Sequence, residues 1–199
     1  MNSLLLPLFW RVENAQNTDF DVVSVLMPHG ERADNVAIEY SIDVSFISPI
    51  KHHEPIDLRW SEEDSELFMC LLRKIMRVTE SSVELDIEDE MVQGLIQLVA
   101  TARFHTPWPG DELEGKDFNT YRSELEVGDL VAINTLYGFY NAVVVALDSI
   151  DATVVVLEDI VDLDGEQEVI MPSHSLLMLN RVCVLAPEFA DGSEASVLH

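Results

Sequence analysis

From Val127 to Leu185 the chain passes through short runs rich in β-branched and aliphatic residues, each bounded by Gly, Asp, Asn, Ser or Pro. The runs are Val127 to Ile133, Gly138 to Leu147, Thr153 to Leu157, Glu168 to Met171 and Leu176 to Leu185. Stretches this short with turn residues between them predict antiparallel strands, and their number predicts a small all-β barrel. The same region is the most acidic of the chain. Residues 111 to 170 hold fifteen Asp or Glu against only Lys116 and Arg122. A small barrel carrying that much negative charge suggests binding, not catalysis.

The chain before the barrel has a different rhythm. From Val36 to Phe46 the even positions are Val, Ile, Tyr, Ile, Val and Phe, while the odd ones are Ala, Glu, Ser, Asp and Ser. This period of two predicts a strand with one face buried and one in water. With the apolar run from Asp21 to Met27 it predicts an antiparallel hairpin whose loop spans Pro28 to Asn35. Residues 4 to 12 are apolar with Pro7 inside, which suits an edge strand or an arm better than a central strand. Lys51-His52-His53-Glu54-Pro55 reads as a surface connection.

Two helices follow. Ser61 with Asp64 three residues on forms a capping pattern, and Leu67, Phe68, Leu71, Leu72, Ile75 and Met76 recur on one face. The second helix is expected from Ile87 to Phe104, with Met91, Leu95, Leu98, Val99 and Ala102 facing inward. Thr106-Pro107-Trp108-Pro109-Gly110 then stops the helical pattern. The expected fold class is α+β, with an N-terminal antiparallel hairpin and two helices over residues 1–110. A connection over 111–122, a small β-barrel over 123–189 and a frayed tail over 190–199 complete the expected organisation.

Composition narrows the function. A hydrophobic content of 48% with three Trp and eight Phe supports a real core, so this is not a disordered acidic tail. The net charge of -26, from 37 acidic and 11 basic residues, repels nucleic acid and anionic membranes and attracts cationic proteins. Solubility alone and adaptation to high salt are the competing explanations of the charge. Cys70 and Cys183 sit among apolar neighbours and do not make a disulfide framework, so a reducing, cytoplasmic setting is expected. The N-terminus lacks the basic region of a signal peptide, and no stretch approaches the roughly 18 apolar residues of a membrane helix.

Glu126-Val127-Gly128-Asp129-Leu130-Val131-Ala132, followed by Tyr137-Gly138-Phe139-Tyr140 and the strand to Leu147, resembles the entry to SH3-like small barrels of the KOW and Tudor type. In those barrels a Gly-Asp turn leads into the first strand and an aromatic-bearing loop leads into the second. The resemblance covers about sixty residues, 123 to 185, and implies a binding module for a peptide or a nucleic acid. Here the scarcity of basic residues departs from the nucleic-acid-binding members. The Tudor-like comparison further implies that Tyr137, Phe139 and Tyr140, with Asp129 or Asp148 nearby in sequence, would cage a Lys or Arg side chain. The competing reading is that these rings close the barrel end.

Recognisable motifs for chemistry are missing from the sequence. Adjacent His52 and His53 would point to opposite sides of a strand, and no second cluster accompanies them, so no metal site is expected. Placing Gly165 at the sixth position of a calcium loop puts Ile160 first and Met171 twelfth, where acids are needed; a hairpin turn at Asp164-Gly165 explains the stretch better. No nucleophile elbow and no Gly-rich phosphate loop occur, so neither catalytic residues nor a cofactor are expected. Ser173-His174-Ser175 reads as a turn between strands.

The leading expectation is an acidic, non-enzymatic interaction protein that binds a basic protein, in the manner of an inhibitor, an immunity protein or a DNA mimic. Its contact residues would be Glu158, Asp159, Asp162, Asp164, Glu166 and Glu168, together with Tyr137, Phe139 and Tyr140. The alternatives are an adaptor that holds a peptide or subunit on the barrel, and an enzyme using His52, His53 or His105. Oligomeric state is not legible in the sequence.

Overall fold

The computed structural model describes residues 8–14, 20–27, 38–47, 54–75, 86, 88–115, 124–162 and 168–190. The expected loop from Pro28 to Asn35, His52 and His53, residues 116–122, Asp164, Glu166 and the tail beyond 190 lie outside them. The chain forms two compact units, Met1–Phe104 and His105–His199. Together they contain helices and sheets, so the class is α+β, with strands in the majority. No helix among the described residues is long and apolar enough to cross a membrane.

The first unit holds β1 (Phe9–Asn14), β2 (Phe20–Met27), β3 (Ile38–Ile47), β4 (Ile56–Arg59), α1 (Glu62–Ile75) and α2 (Glu90–Phe104). β2 and β3 are antiparallel, with Val23 opposite Ile42, and the register shifts between Val22 and Val23. The sheet order is β3-β2-β1-β4, which makes β1 a central strand and corrects the expectation of an edge or arm. The strand begins at Phe9, after Pro7, so the missing proline N–H does not interrupt its ladder. Its outer neighbour, β4, is short and exposed on three of its four residues, which hid it from a search for apolar alternation.

α1 starts where the capping pattern places it. The Ser61 hydroxyl accepts the Asp64 N–H at 3.1 Å, and Asp64 Oδ2 accepts the Ser61 N–H at 2.9 Å. The same Oδ2 accepts the indole N–H of Trp10 at 3.1 Å, so the helix cap is tied to the centre of the sheet. Trp10 stacks on Trp60, with centroids 4.7 Å apart, and meets Phe104 edge-on at 5.7 Å; Phe68 meets Trp60 edge-on at 5.6 Å. α2 is capped by Asp89, whose Oδ1 accepts the N–H groups of Met91 and Val92. Leu95, Leu98 and Val99 are buried on it as expected, joined by Val92 and Ile96, whereas Met91 is exposed and Ala102 only half-buried. α2 packs on α1 and on β3.

The second unit holds β5 (Trp108–Pro109), β6 (Leu130–Thr135), β7 (Gly138–Leu147), β8 (Asp151–Val156), β9 (Ile160–Val161), β10 (Val169–Met171), β11 (Leu176–Asn180) and β12 (Val184–Leu185). Six strands form one sheet in the order β12-β6-β7-β8-β11-β5, and β9 and β10 form a separate pair. Among the described residues no sheet closes into the expected barrel: β12 and β5 are the two edges of the six-stranded sheet and do not pair with each other. Each edge strand is only two residues long, and β5 joins β11 in parallel while the other neighbours are antiparallel. Closure requires the two edges to meet along a ladder, and these are too short to make one.

Val131, Ile133, Ala142, Val144, Val154, Val156, Leu177 and Val184 make one continuous core with Ile160 and Met171. Val143, Val155, Leu176 and Leu185 alternate with them and are also buried, which explains why these strands read as unbroken apolar runs. Residues 111–115, read from sequence as part of a connection, are fastened to this unit. The Gly115 N–H donates to Asn134 O at 3.0 Å, the Leu136 N–H donates to Leu113 O at 2.8 Å, and Glu114 Oε1 accepts the Asn180 N–H at 2.6 Å.

Candidate protein-interaction surface

The β6–β7 hairpin turns through Leu136 and Tyr137 into Gly138, whose φ of +125° is open to glycine and strained for other residues. The Thr135 hydroxyl holds the turn, donating to Gly138 O at 2.9 Å and accepting the Tyr137 N–H at 3.1 Å. Strand alternation then separates the three aromatic residues. Tyr137 and Tyr140 are partly buried against the core of the unit, whereas Phe139 packs on Phe189 at a centroid distance of 6.0 Å. Phe189 belongs to the 3-10 turn Pro187–Phe189. The rings therefore do not converge on one cage.

Tyr140 has a role that the sequence reading did not anticipate. Its hydroxyl accepts the Val161 N–H at 3.2 Å and lies within donating distance of Val161 O at 3.1 Å and Tyr137 O at 3.3 Å. One side chain thus satisfies both backbone groups of Val161, as a neighbouring strand would. Tyr140→Phe is expected to cost about 1–2 kcal/mol, because it leaves those groups without their partner. Faster amide exchange at Val161, with the amides of β8 unchanged, checks this.

The same hydroxyl brings the aromatic hairpin next to the acidic one. Asn141, adjacent to Tyr140, donates from its backbone N–H at 2.7 Å and from Nδ2 at 3.2 Å to Glu158 Oε1. Asp159 Oδ1 accepts the Ser173 N–H at 2.6 Å. The Asp162 N–H donates to Glu168 O at 3.0 Å, closing the base of the β9–β10 hairpin. Glu158, Asp159 and Glu168 are exposed and Asp162 is half-buried. Glu158 and Asp159 are each anchored through one oxygen, and a carboxylate has a second. The described acids of the candidate site therefore lie on or next to one hairpin, whereas Asp164 and Glu166 lie outside the described residues.

Sequence reasoning missed the anchors Asn141 and Ser173. The turn read at Ser173-His174-Ser175 is present between β10 and β11, and His174 within it has a φ of 59°, a region histidine enters more readily than most residues. The His174 N–H donates to Val156 O at 2.7 Å, and the Val156 N–H donates to Ser175 O at 3.0 Å, so the turn before β11 is clamped to β8. The signal available for this turn was Pro172 with its flanking serines.

Arg181 is the one Lys or Arg among the described residues of this unit, and its Nη1 donates to Asp148 O at 3.0 Å. The Asp148 carboxyl is held below its ordinary pKa by the N–H groups of Asp151 and Ile150, with a smaller contribution from the Arg181 charge. That lowered value keeps the turn's carboxylate charged as pH falls until the folded-state pKa is crossed, below which its hydrogen bonds weaken. The chemistry this surface offers is acceptance of hydrogen bonds from ammonium or guanidinium groups. The sequence matches no known protein-family model and no curated protein.

Proposed function

We propose that the chain acts by binding, and that its second unit receives a basic protein partner on the β9–β10 hairpin. The observation that carries this reading is the set of exposed carboxylates anchored around one short hairpin, in a unit with eighteen acidic residues against three basic ones. Anchoring lowers the entropy lost when a partner's Lys or Arg engages them, and the unit's field speeds the encounter. Phosphate backbones are repelled by the same field. A partner built to grip nucleic acid presents the complementary charge, which makes inhibition by occupation of its phosphate site the natural outcome. The meander β6-β7-β8-β11, with β12 returning to the far side of β6, supports reading this unit as an opened relative of the SH3-like barrels.

The test replaces Glu158, Asp162, Asp159 and Glu168 together by Gln or Asn of matching length. Glu158→Gln and Asp159→Asn keep the oxygens that accept from Asn141 and Ser173, so the hairpin is retained. The association rate with a partner recovered on the wild-type chain is expected to fall about tenfold or more at low ionic strength, and the difference is expected to shrink at high ionic strength. An unchanged rate, insensitive to salt, would rule the reading out.

A further inference from the structure

In an antiparallel pair, residues opposite each other turn their N–H and C=O groups either toward the partner strand or away from it. The bond from the Asp162 N–H to Glu168 O lies just beyond the Val161–Val169 pair, which is the pattern of the outward-turned kind. Tyr140 confirms it for Val161, since its hydroxyl takes both of that residue's outward groups. The outward groups of Val169 therefore face away from β9, along the other edge of the hairpin. β9 is the one strand neighbour of β10 among the described residues. Val169 itself is 48% exposed, unusual for a valine in a strand.

Among the described residues the two edges of the hairpin are thus unequal: one is sealed by a tyrosine and the other has no strand beside it. The charge around it chooses its occupant: Glu168 precedes Val169, and the unit carries eighteen acidic residues against three basic ones. A second copy of this chain, at a net charge of -26, would bring like charges together, so Glu168 and the other acids of the unit guard the edge against self-pairing. The same acids attract a strand of opposite charge. Glu168 and Val169 point to opposite faces, so the incoming strand needs a cation beside one and an apolar residue beside the other.

Resting on the proposed acidic binding role, we infer that the outer edge of β10 takes up an extended segment of the partner. That segment has Lys or Arg alternating with apolar residues, and it adds as a third strand to the β9–β10 hairpin.

The full chain is titrated with a short labelled peptide of alternating Arg and Val, and with the same peptide methylated at alternate backbone nitrogens, in both registers. Strand addition predicts that one methylated register binds at least about tenfold more weakly than the parent peptide. It also predicts that Val169→Pro, which removes the outward N–H and leaves the bond from the Asp162 N–H to Glu168 O, gives a similar loss. Equal binding of the parent and both methylated peptides would overturn strand addition while leaving a charge-driven surface intact. Absence of binding to every peptide at low ionic strength would remove the acidic reading along with it. A wild-type dimer abolished by Val169→Pro would assign the edge to a second copy and overturn the inferred occupant.

Discussion

Replacement of Asp64 by Ala is expected to destabilise the first unit by about 3 kcal/mol. A single oxygen, Oδ2, accepts both the Ser61 N–H and the Trp10 indole N–H, and the residue is buried. Alanine removes the reciprocal half of the helix cap and strands a polar group in the aromatic core. Asp64→Asn keeps a carbonyl oxygen in place and is expected to cost only about 1 kcal/mol. The two tryptophans separate the hydrogen bond from ring packing. Trp60 is as buried as Trp10, but its Nε1 has no hydrogen-bond partner among the described residues. Trp10→Phe is therefore expected to cost about 1 kcal/mol more than Trp60→Phe. Urea unfolding followed by circular dichroism measures all four; equal losses for the two Trp variants would refute the assigned role of Asp64.

Gly110→Ala is the second large effect, at about 3 kcal/mol in the second unit. The Gly110 N–H donates to Met178 O at 2.6 Å, and this approach is possible because no side chain intervenes. A Cβ at this position would stand 2.5 Å from Met178 O and 2.9 Å from Leu179 Cβ. Backbone and a core leucine cannot both retreat, so β5 would be pushed off β11. Gly94→Ala is the matched control: it lies within α2 with nothing within 4 Å of the new methyl group. It is expected to stabilise by about 0.5–1 kcal/mol. Thermal unfolding of both variants provides the measurement, and a loss for Gly110→Ala smaller than about 1 kcal/mol, one rotamer's worth of strain, would mean that this contact does not hold β5 on β11.

What could be read from sequence was local. The Ser61–Asp64 cap, the α1 face and the β2–β3 pairing rest on spacings of a few residues or on a long alternation, and each recurs in the structure. β4 and β9 were not separable from loops, because strands of two to four residues show no period, whereas β10 falls within the run from Glu168 to Met171. The strand order of the second unit was also beyond reach: an apolar run declares that it is buried, not which neighbour it meets. At the candidate site the acids were visible as residues, but their arrangement depends on Tyr140 reaching Val161, twenty-one positions away. Composition holds no trace of such a bond. The aromatic cluster looked like a cage because three rings were adjacent in sequence, whereas strand alternation sends Phe139 and Tyr140 to opposite faces.

The place of β12 beside β6 also sets a timetable for synthesis. In the first unit every strand pairing is available once Arg59 has been made, and both helices are complete by Phe104. In the second, the outer neighbour of β6 is Val184–Leu185, and β5 waits for β11 to appear. A ribosome delivering this chain therefore exposes the apolar strands β6, β7 and β8 before either flank can be covered. The unit's dense negative charge keeps such nascent chains apart from one another during that interval, a benefit that precedes any partner.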